Sequence, residues 1–335
     1  MVSDPTSLGQ PRLWGLVLAG GEGKRLEGYI REHYGESLPK QYMNFIGTRS
    51  MIEHTFARAE RLIPRERILT IVTKHHLKYS QVQPQLSRRP RDTVIIQPTN
   101  KDTGVGLLLP LTYLYKRCSD AVVAVFPSDH FILEEARFID HVRRAARAVQ
   151  QNPAEIVLLG IEPTSEESDY GYIVPSKGNS QSPGFGCRRA IQFVEKPNRE
   201  AARLLIASGA LWNTMIMVFR VDTLLAQVAI LYPEIARFFL RLSEVLGTSE
   251  EIPRIKEIYR SLPPFNFSKD ILEKIGARGA AAISVLAVSK VTWSDWGAPQ
   301  RLDAIKKSLG RAAVSKAQQT FRHRDSIPSP GPGLA

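Results

Sequence analysis

Several short stretches of this chain carry residue types that can hold and polarise phosphate. The first, Leu16-Val-Leu-Ala-Gly-Gly-Glu-Gly-Lys-Arg25, is an apolar run that ends in glycines and two cations. Gly20, Gly21 and Gly23 have no Cβ, so the backbone there can turn with positive φ and bring its N–H groups close to an anion. Lys24 and Arg25 add full charges beside those amides. The stretch lacks the Lys-Ser/Thr of a P-loop and the third glycine of the dinucleotide fingerprint, so by itself it reads equally as a phosphate cradle and as a turn that ends a strand.

Pro39-Lys-Gln41 follows, with Lys40 fifteen residues after Arg25. Taken alone, Lys40 is an exposed lysine; beside a phosphate cradle it is a second cation for a triphosphate. Gln97-Pro-Thr-Asn-Lys-Asp-Thr-Gly104 leaves an apolar run and precedes an apolar helix, which puts Gln97 on the presumed ligand edge and lets Asp102 or Thr103 cap the helix. In Ala121-Val-Val-Ala-Val-Phe-Pro-Ser-Asp-His-Phe131 the apolar run reads as a central strand that Pro127 ends. Asp129 then falls at the strand's carboxyl end, where a carboxylate can hold Mg²⁺ together with phosphate oxygens and water. His130 reads as a hydrogen-bonding neighbour, because no second His or Cys lies at ligand spacing.

Four further segments suit a second, sugar-like substrate. Tyr170-Gly-Tyr-Ile173 puts the small Gly171 between aromatics. Phe193-Val-Glu-Lys-Pro197 offers Glu195 for hydroxyls and Lys196 as a point charge for a phosphate. Leu211-Trp-Asn-Thr-Met215 precedes a strand and contributes Asn213, which can both donate and accept. In Val291-Thr-Trp-Ser-Asp-Trp-Gly297, Asp295 reads as a helix cap or as a second metal ligand.

The elements that must position these residues alternate. Strands are expected at Trp14–Ala19, Ile68–Thr73, Val94–Gln97, Ala121–Phe126, Ile156–Ile161, Ile191–Val194 and Met215–Phe219. Helices lie between them: Ile52, Thr55, Phe56, Ala59 and Leu62 share one face of Met51–Leu62, and Phe138, Val142, Ala145 and Val149 one face of Ala136–Gln150. This order predicts an α/β fold of Rossmann-like type, a mixed but mostly parallel sheet with helices on both faces. Ligands of such sheets bind beyond the strands' carboxyl ends, where the glycine turn lies.

A chain of 335 residues, 43% of them hydrophobic, can bury a large core. Its two cysteines, Cys118 and Cys187, form neither a metal motif nor a disulfide framework, which suits a reducing compartment. No run reaches the roughly 18 apolar residues of a membrane span and no signal peptide opens the chain, so a cytoplasmic site without membrane contact is expected. The formal charge of +12 suits a polyphosphate substrate. Part of it lies between Arg301 and Asp325, where seven Lys or Arg face two Asp. No nucleic-acid module is present, so nucleic acid is only a minor alternative. The oligomeric state stays open, a homo-oligomer included.

The ordered series Gly-Gly-Glu-Gly-Lys-Arg, Pro-Lys-Gln, Pro-Ser-Asp-His, Gly-Tyr-Ile, Phe-Val-Glu-Lys-Pro, Trp-Asn and Trp-Ser-Asp resembles the sugar-nucleotide pyrophosphorylases over roughly residues 13 to 305. Within them it is most similar to the mannose-1-phosphate guanylyltransferases, through Gln41 and the Gln97 segment. The resemblance implies the nucleotide-diphospho-sugar transferase fold and a reaction of GTP with a hexose 1-phosphate, mannose 1-phosphate first, to give GDP-mannose and pyrophosphate. UTP or dTTP with another hexose 1-phosphate, and a non-catalytic sugar-nucleotide-binding regulator, are the alternatives. By the same resemblance Gly20, Gly21, Gly23, Lys24, Arg25, Lys40 and Gln97 would bind the nucleotide, with Arg25, Lys40 and Asp129 catalytic. Gly171, Glu195, Lys196 and Asn213 would bind the sugar phosphate, and Asp129 and Asp295 would hold Mg²⁺. Three features depart from the family pattern: Lys24 stands where it has Thr, Asp102 where it prefers Asn, and Thr214-Met215 where it has Ser-Gly. The connection from Glu27 to Ser37 is also longer. The expected organisation is a flexible tail over 1–12, a catalytic domain over 13–310 and a disordered tail, basic and then Pro/Gly-rich, over 311–335.

Overall fold

The apolar runs between the polar stretches pair into one nine-stranded sheet. A computed structural model describes residues 12–35, 37–178, 185–278 and 282–309, so the two expected tails lie outside the described residues, apart from Arg12. The strands of the sheet are β1 (Leu13–Ala19), β2 (Ile68–Thr73), β3 (Val94–Gln97), β4 (Val122–Pro127), β6 (Glu155–Ile161), β7 (Gly171–Pro175), β8 (Cys187–Glu195), β9 (Leu211–Arg220) and β10 (Ala282–Val288). Their order is β3-β2-β1-β4-β9-β6-β10-β8-β7. A separate two-stranded ladder joins β5 (Phe131–Ile132) to β11 (Trp293–Ser294).

Strands β1, β2, β3 and β4 pair in parallel, as does β10 with β6. Only β8 and β9 run against the rest, each lying antiparallel to its neighbours. The sheet is thus mixed, with most strands sharing one direction. The reversal of β9 matters for function. Val125 of β4 pairs with Met217, so Asn213, four residues earlier in β9, comes level with Asp129 beyond the end of β4.

Alternation along the strands sends successive side chains to opposite faces. In β4, Val122, Ala124 and Phe126 join one core, while Val123 and Val125 join the other. Helices α1 (Lys24–Tyr34), α2 (Met51–Ala59), α3 (Val82–Ser87), α5 (Glu135–Gln151) and α6 (Arg199–Ala207) cover the first face. Helices α4 (Asp102–Arg117), α7 (Val221–Leu231), α8 (Pro233–Val245), α9 (Glu251–Ser261) and α10 (Glu273–Arg278) cover the second. The stripe on α5 is buried as its spacing predicts, with Phe138, Val142, Ala145 and Val149 all inside. Ser50 starts α2 with a capping box, accepting from Glu53 N–H while the Glu53 carboxylate accepts from Ser50 N–H. Among the described residues no helix is long and apolar enough to cross a membrane.

Some expectations differ in extent. The strand expected at Ile191–Val194 runs from Cys187 to Glu195, and the one at Met215–Phe219 begins at Leu211, so Trp212 and Asn213 lie inside it. Strands β7 and β10 are additions to the expected set: Gly171–Pro175 is short and opens on a glycine, and both owe their place to pairing.

Candidate active site

The turn after β1 is held from three sides. Thr73, the last residue of β2, donates its hydroxyl to the Gly20 carbonyl at 2.8 Å. Gln41 donates its amide to the carbonyls of Ala19 and Gly21 at 3.0 and 2.8 Å. Gln97 donates to Thr73 Oγ1 at 2.9 Å and accepts from the Tyr259 hydroxyl at 2.9 Å, so this buried amide braces the turn. A Cβ on Gly20 would stand 2.4 Å from Gln97 Nε2, which is why only glycine fits. Gly23 has a φ of 65° and opens α1 without any side-chain cap. Its neighbour across space is the Lys40 backbone nitrogen, 2.9 Å from where a Cβ would sit. The Lys24 and Arg25 amides of the first turn of α1 are therefore left for an anion, whereas Leu26 N–H donates to the Gly23 carbonyl at 3.1 Å.

Charged groups are interlocked beside this turn. The Lys40 side chain is buried, and its ammonium lies 2.8 Å from Asp129 Oδ2 and 2.6 Å from the Asp295 backbone carbonyl. Arg25 reaches Asp169 Oδ2 at 3.1 Å and Asp295 Oδ2 at 3.4 Å. Asp295 Oδ1 also accepts from the Tyr170 hydroxyl at 2.8 Å and from Gly297 N–H at 2.9 Å, with Arg301 Nε 3.2 Å away. Burial pushes the Asp129 and Asp295 carboxyls up, but Lys40 beside both, and Arg301 beside Asp295, hold them net below the usual carboxylate range. Both are thus ionised at neutral pH. Burial drives His130 down to about 4, and Trp293 Nε1 donates to its Nδ1 at 3.2 Å, so it is a neutral neighbour of Asp129.

A third group surrounds the start of β7. Gly171 pairs with Glu195 in the ladder, and a Cβ on Gly171 would stand 2.7 Å from Glu195 Oε2. Burial raises the Glu195 carboxyl, and Lys196 opposes this. Lys196 adopts a left-handed φ of 48° at the strand's end. Asn213 Oδ1 accepts from Met215 N–H at 3.1 Å, and Met215 itself has a φ of 56°, so β9 carries a local kink there. Asp102, with a φ of 66°, accepts from the Asn266 amide at 3.3 Å. Lys101 holds the N-cap position of α4, and Asp102 Oδ1 accepts from the first-turn Thr103 N–H at 2.6 Å.

These groups meet in one cleft of about 360 Å³, lined among others by Gly20, Gly21, Gly23, Arg25, Gln97, Asp129, Gly171, Glu195, Lys196, Asn213 and Asp295. Lys40 lies behind its wall, in contact with both aspartates. Lys24 is exposed and lies outside the lining. A larger cavity of about 860 Å³ adjoins His130 and is walled by Phe45, Arg49 and Arg137, but it lacks both aspartates and all three glycines of the turn. The cleft is therefore the candidate site. Its donor set suits Mg²⁺: two ionised carboxylates on one wall, with room for phosphate oxygens to complete the shell.

Sequence reasoning missed Arg301, Asp169 and Gly297. Arg301 reads along the chain as the first cation of a basic tail. In space it pairs with Glu167, Asp169 and Asp295 and stacks over the Tyr170 ring at 4.9 Å. A Cβ on Gly297 would stand 2.3 Å from Asp295 Oδ2 and 2.8 Å from Arg25 Nη2. The Trp-Ser-Asp-Trp-Gly pattern ending in glycine was the available signal.

The family model for nucleotidyl transferases matches residues 14–310. The xanthan biosynthesis protein XanB of Xanthomonas campestris pv. campestris (strain B100) is 28% identical over 298 residues, covering 88% of this chain and 60% of its own length. A mannose-1-phosphate guanylyltransferase of Escherichia coli is 26% identical over 301 residues, covering 89% of this chain and 61% of its own. This chain thus spans about three fifths of the curated relatives it matches. The crystal structure of a mannose-1-phosphate geranyltransferase from Thermus thermophilus superimposes with a TM-score of 0.71 at 25% identity, covering 85% of this chain and 76% of that one.

Proposed function

The chain belongs to the nucleotidyl transferase family, and on that premise we propose that it joins a sugar 1-phosphate to a nucleoside triphosphate with release of pyrophosphate. Mannose 1-phosphate and GTP are the proposed pair, giving GDP-mannose. The observation that carries this reading is the single cleft in which an uncapped glycine turn, two ionised aspartates and a Glu-Lys pair face the same space.

In this reading an oxygen of the sugar phosphate attacks the α-phosphorus of the nucleotide as the bond to the β-phosphate breaks. The work of the protein is positioning and charge stabilisation, and no protein nucleophile is required. The amides after Gly20, with Arg25, bind the triphosphate; Arg25 exchanges its carboxylate partners for phosphate oxygens. Lys40, fixed between Asp129 and the Asp295 carbonyl, offsets charge on the departing pyrophosphate. Mg²⁺ held by Asp129 and Asp295 would supply Lewis-acid stabilisation of the phosphates. Glu195 binds sugar hydroxyls, Lys196 the sugar phosphate, and Asn213 orients the ring. The names carried by the Escherichia coli and Thermus relatives support mannose 1-phosphate, and the former supports GTP.

A pyrophosphate-release screen of four nucleoside triphosphates against several sugar 1-phosphates tests the proposal. GTP with mannose 1-phosphate is expected to give the highest kcat/KM. A uridine or thymidine donor ahead of GTP refutes the guanylyl assignment. No release from any pair refutes the reaction class and leaves a sugar-nucleotide-binding protein.

A further inference from the structure

Behind the glycine turn lies a second cluster that the proposed reaction does not use. Glu22 sits between Gly21 and Gly23, yet unlike them it is not part of the cleft lining. Its Oε2 is 2.8 Å from His75 Nε2 and 3.9 Å from His76 Nε2, and the three ligand atoms lie within 4.8 Å of one another. The two histidine rings meet edge to face at 4.4 Å.

His76 is fully buried, and its Nε2 has no hydrogen-bond partner. Its other nitrogen faces the Tyr42 hydroxyl at 3.4 Å, and that hydroxyl in turn is 3.5 Å from the Ala19 carbonyl. With the Tyr42 proton directed at Ala19, the Tyr42 oxygen accepts from His76 Nδ1–H. In that tautomer Nε2 carries the lone pair, 3.9 Å from the Glu22 carboxylate oxygen. A buried ring nitrogen left without a partner beside a carboxylate is costly unless a cation lies between them.

We propose that Glu22, His75 and His76 bind a divalent transition-metal ion of the zinc class, which pins the glycine turn after β1 to the segment after β2. Zinc bonds to imidazole nitrogen and carboxylate oxygen are about 2.0–2.2 Å, which sets tetrahedral edges of about 3.3 Å. The separations of 2.8 and 3.9 Å to Glu22 bracket that edge. Two imidazoles favour zinc, cobalt or nickel over Mg²⁺. Glu22 and His75 are partly exposed, so an ion can enter from solvent and keep a water as fourth ligand.

The test uses the untagged full chain, freed of metal by chelator, titrated with Co²⁺ and then Zn²⁺ under excess Mg²⁺. One Co²⁺ per chain is expected, read by its visible absorption and displaced by one Zn²⁺, with a rise in Tm. Glu22→Gln and His75→Ala, both at partly exposed positions, should each weaken Co²⁺ binding at least ~10-fold. His76→Gln should abolish the absorption while circular dichroism reports its fold; if it does not fold, the other two variants decide. Absence of uptake by the wild-type chain overturns the proposal, as does uptake that these variants leave unchanged. The outcome is independent of the proposed reaction, because metal uptake is read without substrate.

Discussion

Replacing Gly171 by alanine adds one methyl group at a point where the structure leaves no space for it. The new Cβ would stand 2.7 Å from Glu195 Oε2, 3.0 Å from Phe193 Cζ and 3.4 Å from Asn213 Cβ. Ordinary contact begins near 3.4 Å, so the carboxylate must retreat by about 0.7 Å. Gly171 is not among the glycines with positive φ, so its backbone accepts alanine and the effect is one of packing. Glu195, not the strand, is the part that gives. If Glu195 binds sugar hydroxyls, displacement forfeits a hydrogen bond to a charged group, about 1.5–3 kcal/mol. At about 1.4 kcal/mol per tenfold, kcat/KM for the sugar 1-phosphate should fall roughly 10- to 150-fold. The assay is pyrophosphate release with sugar phosphate varied at saturating nucleotide, then with the roles exchanged. The KM for the nucleotide should move less than threefold. An unchanged kcat/KM for the sugar phosphate, or an equal loss for both substrates, would refute the placement of Glu195.

Asp295→Asn preserves size but removes the charge that Arg25 and Arg301 share, so turnover should fall by about two orders of magnitude or more with the fold retained; unchanged Mg²⁺-dependent turnover removes Asp295 from the site. Lys196→Ala should raise the KM for sugar 1-phosphate well beyond that for nucleotide, and an equal rise in both would deny it a phosphate role. Burial pushes the Cys187 thiol up to about 12 and encloses it completely. Iodoacetamide at about pH 8 should therefore leave Cys187 unlabelled until the chain is denatured, as read by peptide mass spectrometry; labelling of the native chain would contradict the packing of β8 against the core.

Strand β2 was legible because burial on both faces selects a largely apolar run, and Ile68–Thr73 has the bounds that its composition predicts; the edge strand Val94–Gln97 also has its expected bounds, although Ile96 is exposed. The antiparallel half was less so. In β8, Arg188, Ile191 and Gln192 are partly or fully exposed, so the run lacks a continuous apolar signature. Glycine turns and strand-end carboxylates could be read because their chemistry follows from residue type and place. Gln97 reads along the chain as a ligand contact; it does line the cleft, and its amide also bonds Thr73 and Tyr259, a bracing role that its place in the sequence does not reveal. Lys24, equivalent to Arg25 by charge, points elsewhere because successive helical residues differ by about 100°. Arg301 was illegible for another reason: its partners Glu167, Asp169 and Asp295 adjoin it only once β7 and the helix over 299–309 have packed together.

The Asp295 carboxylate joins parts of the chain that are made at very different times. Arg25 precedes it by 270 residues and Tyr170 by 125. At synthesis rates of about 5–20 residues per second, Arg25 waits roughly 15–50 s for this partner to be polymerised. The first four strands can pair during that interval, and Thr73 and Gln41 can brace the glycine turn, but Arg25 stays without the Asp295 carboxylate until that residue leaves the ribosome. Nascent chains stalled before residue 295 should therefore protect β1, β4 and the braced glycine turn from proteolysis while leaving the bond after Arg25 open to trypsin.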